Sequence, residues 1–170
     1  MAAADNKTDE DEPGLASSVK PGSLAELYRE KYVPMVRLAY LMVGSSTVAE
    51  DLVQDAFARM HRPWDTIEHP KAYLRTAVVN ACRSHLRRQS LERAYKRHPS
   101  VVGETIAAAE TDELFDALAV LPARQRAAIV LRFYEDLPEA DIAVALGCRP
   151  GTVKSLLHRG LAELRQAVDQ

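Results

Sequence analysis

Apolar residues recur at helical spacing through most of this chain, and nowhere do they alternate as in a half-buried strand. The first periodic stretch opens at Ser23-Leu24-Ala25-Glu26, which has capping-box spacing, and predicts a helix to about Val43. Its inward residues are Leu24, Leu27, Tyr28, Met35, Leu38 and Met42. Pro34 sits inside it and predicts a kink, and Gly44 ends it. Thr47-Val48-Ala49-Glu50 repeats the capping spacing and predicts a second helix to about Met60. Leu52, Val53, Ala56, Phe57 and Met60 form its apolar stripe, while Glu50, Asp51, Gln54 and Asp55 form a polar ridge. Residues 61–69 read as a loop. Pro70 then suits the first turn of a third helix running to about Gln89. Its inward set is Tyr73, Leu74, Ala77, Val78, Ala81 and Leu86, and its other face bears Arg75, Asn80, Arg83, Arg87 and Arg88.

From residue 90 to 110 the pattern fails, and basic residues with Pro99 and Gly103 predict a flexible linker, with a short helical piece near Leu91 to Tyr95. Thr111 is the predicted cap of a helix from Asp112 to Val120, whose acidic first turn suits the helix dipole. Leu121-Pro122 breaks it. Ala123 to Glu135 follows, with Ile129, Val130 and Phe133 inward. The expected fold is all-α: two small helical domains, residues 23–89 and 111–168, joined by the 90–110 linker and preceded by a disordered acidic tail over 1–22.

The stretch from Leu137 to Leu164 carries the most information. Ile142, Ala143 and Leu146 make one apolar face, Gly147 supplies a helix stop, and Pro150 fixes the restart. Val153, Leu157, Leu161 and Leu164 then continue an inward stripe. Thr152, Lys154, Ser155, His158 and Arg159 fall on the opposite side. Two short helices with a tight turn and a polar, basic outer face predict a helix-turn-helix domain of the winged-helix or homeodomain kind, whose second helix enters a DNA major groove. A plain helical hairpin is the alternative that this window alone leaves open.

Charge sharpens the picture. The net charge of −2 hides a segregation: residues 71–98 hold Lys71, Arg75, Arg83, Arg87, Arg88, Arg93, Lys96 and Arg97 against Glu92 alone. Such a block is a local electrostatic footprint for nucleic acid. No run of apolar residues is long enough to span a bilayer, and the acidic start is unlike a signal peptide. Cys82 and Cys148 are too few and too separated for a disulfide framework, which suits a cytoplasmic protein. Cys82 and His85 have ligand-like spacing, yet no second pair follows, so neither a metal nor a cofactor is expected. Phosphate-binding glycine loops, nucleophile elbows and zinc-protease helices are missing from the sequence, which gives no catalytic residues and argues against an enzyme.

Three segments together resemble an extracytoplasmic-function (ECF) sigma factor of bacterial RNA polymerase, most like actinobacterial members. Val48 to Phe57 resembles that family's polymerase-binding region 2.2. Ala72 to Asn80 and on to Leu86-Arg87-Arg88 resembles regions 2.3 and 2.4. Leu121-Pro122-Ala123-Arg124-Gln125-Arg126 with Leu137–Leu164 resembles region 4. The resemblance implies that the chain binds core RNA polymerase, recognises a two-part promoter and starts transcription. It places polymerase contacts at Asp51, Gln54 and Asp55. It places contacts to the −10 element at Arg75, Asn80, Arg83, Arg87 and Arg88, with Trp64 either stacking on a flipped base or anchoring its loop. Contacts to the −35 element fall at Arg124, Arg126, Arg149, Thr152, Lys154, Ser155, His158 and Arg159. Leu156 departs from relatives that carry arginine there, and either touches a thymine methyl or packs inward. The linker is expected to thread near the polymerase active-site cleft. An anti-sigma partner is expected because many relatives are held inactive by one. The main rival is an ordinary helix-turn-helix regulator, which would need a dimerisation helix that this chain does not obviously have. A pure adaptor survives only if the basic surfaces never meet DNA.

Overall fold

A computed structural model of the chain describes residues 22–95 and 113–168. The expected acidic tail, most of the linker, and the Thr111 cap lie outside those residues. Within them the chain forms α1 (Leu24–Val43), α2 (Ser46–Met60), α3 (Pro70–Tyr95), α4 (Glu113–Ala119), α5 (Ala123–Phe133), α6 (Glu139–Leu146) and α7 (Pro150–Val168), with one 3₁₀ turn at Trp64–Thr66.

The first half is a three-helix unit. Ser23 caps α1, its hydroxyl accepting from the Glu26 N–H at 3.2 Å. Gly44 ends α1 in the left-handed region at φ +77°, where the backbone reverses. The helix is continuous through Pro34, which cannot donate to the preceding turn. The second helix starts two residues earlier than the capping-box spacing suggests. Ser45, directly after the reversal at Gly44, is extended and accepts from the Val48 N–H at 3.4 Å, so Thr47 already lies inside α2. Leu27, Leu38, Leu41, Met42, Val53, Met60, Leu74, Val78, Val79 and Cys82 are fully shielded between α1, α2 and α3.

Three further expectations for this half are corrected. Tyr28, assigned inward, is 40 % exposed and stacks on Tyr32. The third helix does not stop at Gln89. No glycine or proline intervenes before Pro99, and α3 continues through Leu91 to Tyr95, taking in the first part of the expected linker. Tyr73, assigned inward, is 44 % exposed, because the buried line of α3 runs through Leu74, Val78 and Cys82 instead.

The second half packs α5, α6 and α7 around Leu131, Ile142, Leu146 and Val153. At the end of α6 the Cys148 N–H reaches the Ala143 carbonyl at 2.9 Å and the Gly147 N–H reaches Val144 at 3.2 Å. This is a Schellman closure with Gly147 at φ +60°. Helix α5 ends at Phe133, not Glu135. Tyr134 still bonds to Val130, and then Asp136 turns the chain at φ +50°. Phe133, also assigned inward, is 63 % exposed, since Ala127, Ala128, Val130 and Leu131 supply the buried face.

The halves touch. Helices α4 and α5 lie against α1, and α5 and α6 lie against α3. The buried apolar side chains of both halves belong to one continuous cluster.

Candidate nucleic-acid interface

Helix α7 is built in two faces. Val153, Leu156, Leu157 and Gly160 are buried. Gly160 lets α5 approach closely: a Cβ there would stand 3.1 Å from Ile129 Cγ1. On the other side Arg149, Lys154, Ser155, His158 and Arg159 are exposed and Thr152 is half-buried. Ser155 donates back to the Gly151 carbonyl at 3.1 Å, and Arg159 Nε donates to the Ser155 carbonyl at 3.2 Å, laying that guanidinium along the helix. Leu156 is buried, so of its two readings the packed one holds. The sequence therefore brings six polar candidates onto one surface of the second helix of a helix-turn-helix.

The other two candidates of that set sit elsewhere. Arg124 is exposed near the start of α5 and faces α3, lining a cleft of about 530 Å³ with Asn80, Arg83, Ser84 and Arg87. Arg126 is turned into the junction between the halves. Its guanidinium donates to the Met42 carbonyl at 2.9 Å and to the Ala119 and Leu121 carbonyls at 3.2 Å. Its Nε is buried without a partner, and burial pulls the group below the ordinary arginine range.

On α3, Asn80, Arg87 and Arg88 are exposed, whereas Arg75 and Arg83 are half-buried and engaged. Arg75 Nε lies 3.0 Å from Glu135 Oε2. Arg83 donates to the Leu146 carbonyl at 2.8 Å, at the negative C-terminal end of α6. Trp64 packs against the apolar cluster and anchors the 3₁₀ turn. At the N-terminal end of α3, Lys71 Nζ is 2.7 Å from Glu30 Oε1, and that hydrogen bond holds the Glu30 carboxyl below the usual carboxylate range.

Helix α2 presents Asp51, Gln54 and Asp55, all exposed. Sequence reading missed what lies beside them. Tyr28 and Tyr32 stack at 4.7 Å, Tyr28 also meets Phe57 at 4.9 Å, and Gln54 Nε2 donates to the Tyr32 hydroxyl at 3.4 Å. The four-residue spacing of the tyrosines on α1 was the available signal.

Among the described residues the fold is all-helical, and an exposed polar face on the second helix of a helix-turn-helix, with a second basic helix in α3, points to the class of DNA-binding proteins. The comparisons with known proteins give the class a family. The Sigma-70 region 2 family matches residues 27–92, and Sigma-70, region 4 matches residues 111–164. The RNA polymerase sigma-E factor of Streptomyces coelicolor is 36 % identical over 147 residues, covering 83 % of each chain. The ECF RNA polymerase sigma factor SigL of Mycobacterium tuberculosis is 30 % identical over 166 residues, covering 91 % of this chain and 94 % of that one. Among solved structures, the sigma factor RpoE of Bartonella quintana, in complex with the anti-sigma factor NepR, has the same fold. Its TM-score is 0.69 at 24 % identity, covering 85 % of this chain and 96 % of that one. This chain belongs to the sigma-70 family, in its ECF branch. As a sigma factor it directs core RNA polymerase to promoters and begins DNA-templated transcription.

Proposed function

We propose a division of that activity among named surfaces. The polar row of α7 (Arg149, Thr152, Lys154, Ser155, His158, Arg159) reads the −35 element as duplex. The observation that carries this is the two-faced build of α7, with its apolar side buried and its polar side open on the helix-turn-helix. Good bidentate base contacts supply about 1–3 kcal/mol of discrimination each. Helix α3 meets the −10 element as it opens. Arg75, Arg83, Arg87 and Arg88 neutralise phosphates, and Asn80 offers both a donor and an acceptor to an unstacked base. Trp64 serves that surface by holding the 61–69 loop in place.

Asp51, Gln54 and Asp55 dock the chain on core polymerase, with an acidic ridge beside an aromatic patch suiting a basic, partly apolar partner. The chain catalyses no reaction; the polymerase makes the RNA. It works in the cytoplasm, and none of its described helices is long and apolar enough to cross a membrane. The solved relatives RpoE and CnrH are bound to NepR and to the cytosolic domain of CnrY, which supports an anti-sigma partner for this chain as well.

Pull-down of core polymerase tests the docking surface. The double variant Asp51→Arg with Asp55→Arg should lose core while keeping its helical circular dichroism. Retention equal to the parent removes the assignment. Footprinting with Lys154→Ala tests the α7 face independently: protection should weaken upstream and persist around the start site.

A further inference from the structure

The cleft between α3 and α5 carries positive charge that its own walls do not balance. Asn80, Ser84, Arg87 and Leu91 follow one another at steps of four, three and four residues, so they form one stripe along α3. The eleven-residue span covers about 16 Å of helix axis. Arg83 lies beside the stripe and Arg124 opposite it, and together they line the cleft of about 530 Å³. Small-molecule sites run to about 300–1,000 Å³. None of the described residues lining it is a carboxylate. Arg83 spends one N–H on the Leu146 carbonyl, whereas Arg87 and Arg124 have no acceptor among the described residues. At the end of the stripe Leu91 is 64 % exposed, an apolar wall with no place in the core.

We propose that this cleft is a binding site for a nucleoside polyphosphate. The base rests on Leu91, and the phosphate chain runs from there along the stripe. Arg83, Arg87 and Arg124 fork onto its oxygens, and the Ser84 hydroxyl and Asn80 amide donate to those that remain. The spacing of the cations favours this ligand. Arg83 and Arg87 are one helical turn apart, about 6 Å between their Cβ atoms, and Arg124 faces them from α5. A cluster that tight suits adjacent phosphates of one short chain. A DNA strand brings only one phosphate per nucleotide. The site shares Asn80, Arg83 and Arg87 with the α3 surface assigned above to the −10 element. Nucleotide and separated strand therefore exclude one another, a consequence that rests on the α3 assignment made under the proposed function.

The test titrates the full chain into N-methylanthraniloyl-ATP and follows its fluorescence. Binding should saturate at one nucleotide per chain. Unlabelled ATP should displace the probe, and inorganic tripolyphosphate, which lacks the base, should need roughly fivefold more. Arg87→Ala and Arg124→Ala should each weaken binding about tenfold. Both positions are exposed, and circular dichroism should show unchanged helicity. Arg93→Ala removes an exposed charge from the same helix outside the cleft and should change binding less than about twofold. Leu91→Ser should weaken the nucleotide and leave tripolyphosphate unaffected. Absence of saturable binding overturns the site. So does an equal loss from Arg93→Ala and Arg124→Ala, which would mean diffuse attraction, and so does tripolyphosphate competing as well as ATP, which would mean a bare anion patch. Single-stranded DNA should displace the probe. Saturable nucleotide binding that no such strand displaces supports the site and counts against the α3 assignment instead.

Discussion

Gly44 and Phe115 allow the packing of the two halves to be tested quantitatively. Gly44 ends α1 at φ +77°, and a methyl group added there would stand 2.2 Å from Phe115 Cζ and 2.8 Å from Cε2. Alanine must therefore both adopt a left-handed backbone and displace an aromatic ring. The backbone cost is about 1–2 kcal/mol, and forcing a group into occupied space costs about 1–3 kcal/mol. Gly44→Ala should lose about 2–5 kcal/mol of stability. In a Phe115→Ala background the ring is gone and only the backbone cost remains, which leaves a coupling of about 1–3 kcal/mol between the two substitutions. Urea unfolding of the four proteins, followed by circular dichroism, measures it. Gly147→Ala is the internal reference: φ is +60° there too, but nothing lies within 4 Å of the added Cβ. It should cost about 1–2 kcal/mol and add independently to Phe115→Ala. If Gly44→Ala and Phe115→Ala are additive within about 0.5 kcal/mol, the ring does not cover Gly44 and the junction geometry is wrong.

Further substitutions separate packing from recognition. Leu156→Ala removes a side chain that is only 6 % exposed and should cost about 2–5 kcal/mol in thermal or urea unfolding. Lys154→Ala, at an exposed position on α7, should leave stability unchanged and reduce the salt slope of −35 duplex binding by about 1. Ser23→Ala should cost about 1 kcal/mol by leaving the Glu26 N–H uncapped. Thiol labelling of the native protein should modify Cys148 and spare Cys82, whose thiol burial pushes up to about 12 from an ordinary 9.0. Above pH 9 the unfolded chain gives up that proton while the folded chain keeps it, so this group lowers stability as pH rises. The slope is about 1.4 kcal/mol per pH unit up to the folded value, and Cys82→Ala should abolish that component in alkaline unfolding curves.

Much of this was legible in the chain itself. Local signals placed the helices: the Ser23 cap, the glycines at 44 and 147, and the apolar spacing of α2 and α7. The polar face of α7 followed from the same periodicity, because a two-sided helix declares which side is buried. What periodicity could not give was contact between distant segments. Arg75, Arg83 and Arg126 all read as surface cations, yet each finds an acceptor at least 60 residues away: Glu135, the Leu146 carbonyl and the Met42 carbonyl. Phe133 and Tyr73 were misassigned because an aromatic residue beside an apolar stripe looks inward until the crossing angle of neighbouring helices is known. The end of α3 was misplaced because a change of composition at Ser90 is not a helix stop. No residue between Gln89 and Tyr95 breaks the helix, even though Leu91 and Tyr95 find no core to enter.

This chain turns core RNA polymerase into a promoter-specific enzyme. Transcription in vitro measures it directly, with core polymerase on fragmented genomic DNA, with and without the purified chain, and the 5′ ends of the transcripts sequenced. New start points should appear only with the chain and share two upstream motifs at a fixed spacing. A transcript set identical to that of core polymerase alone would contradict it.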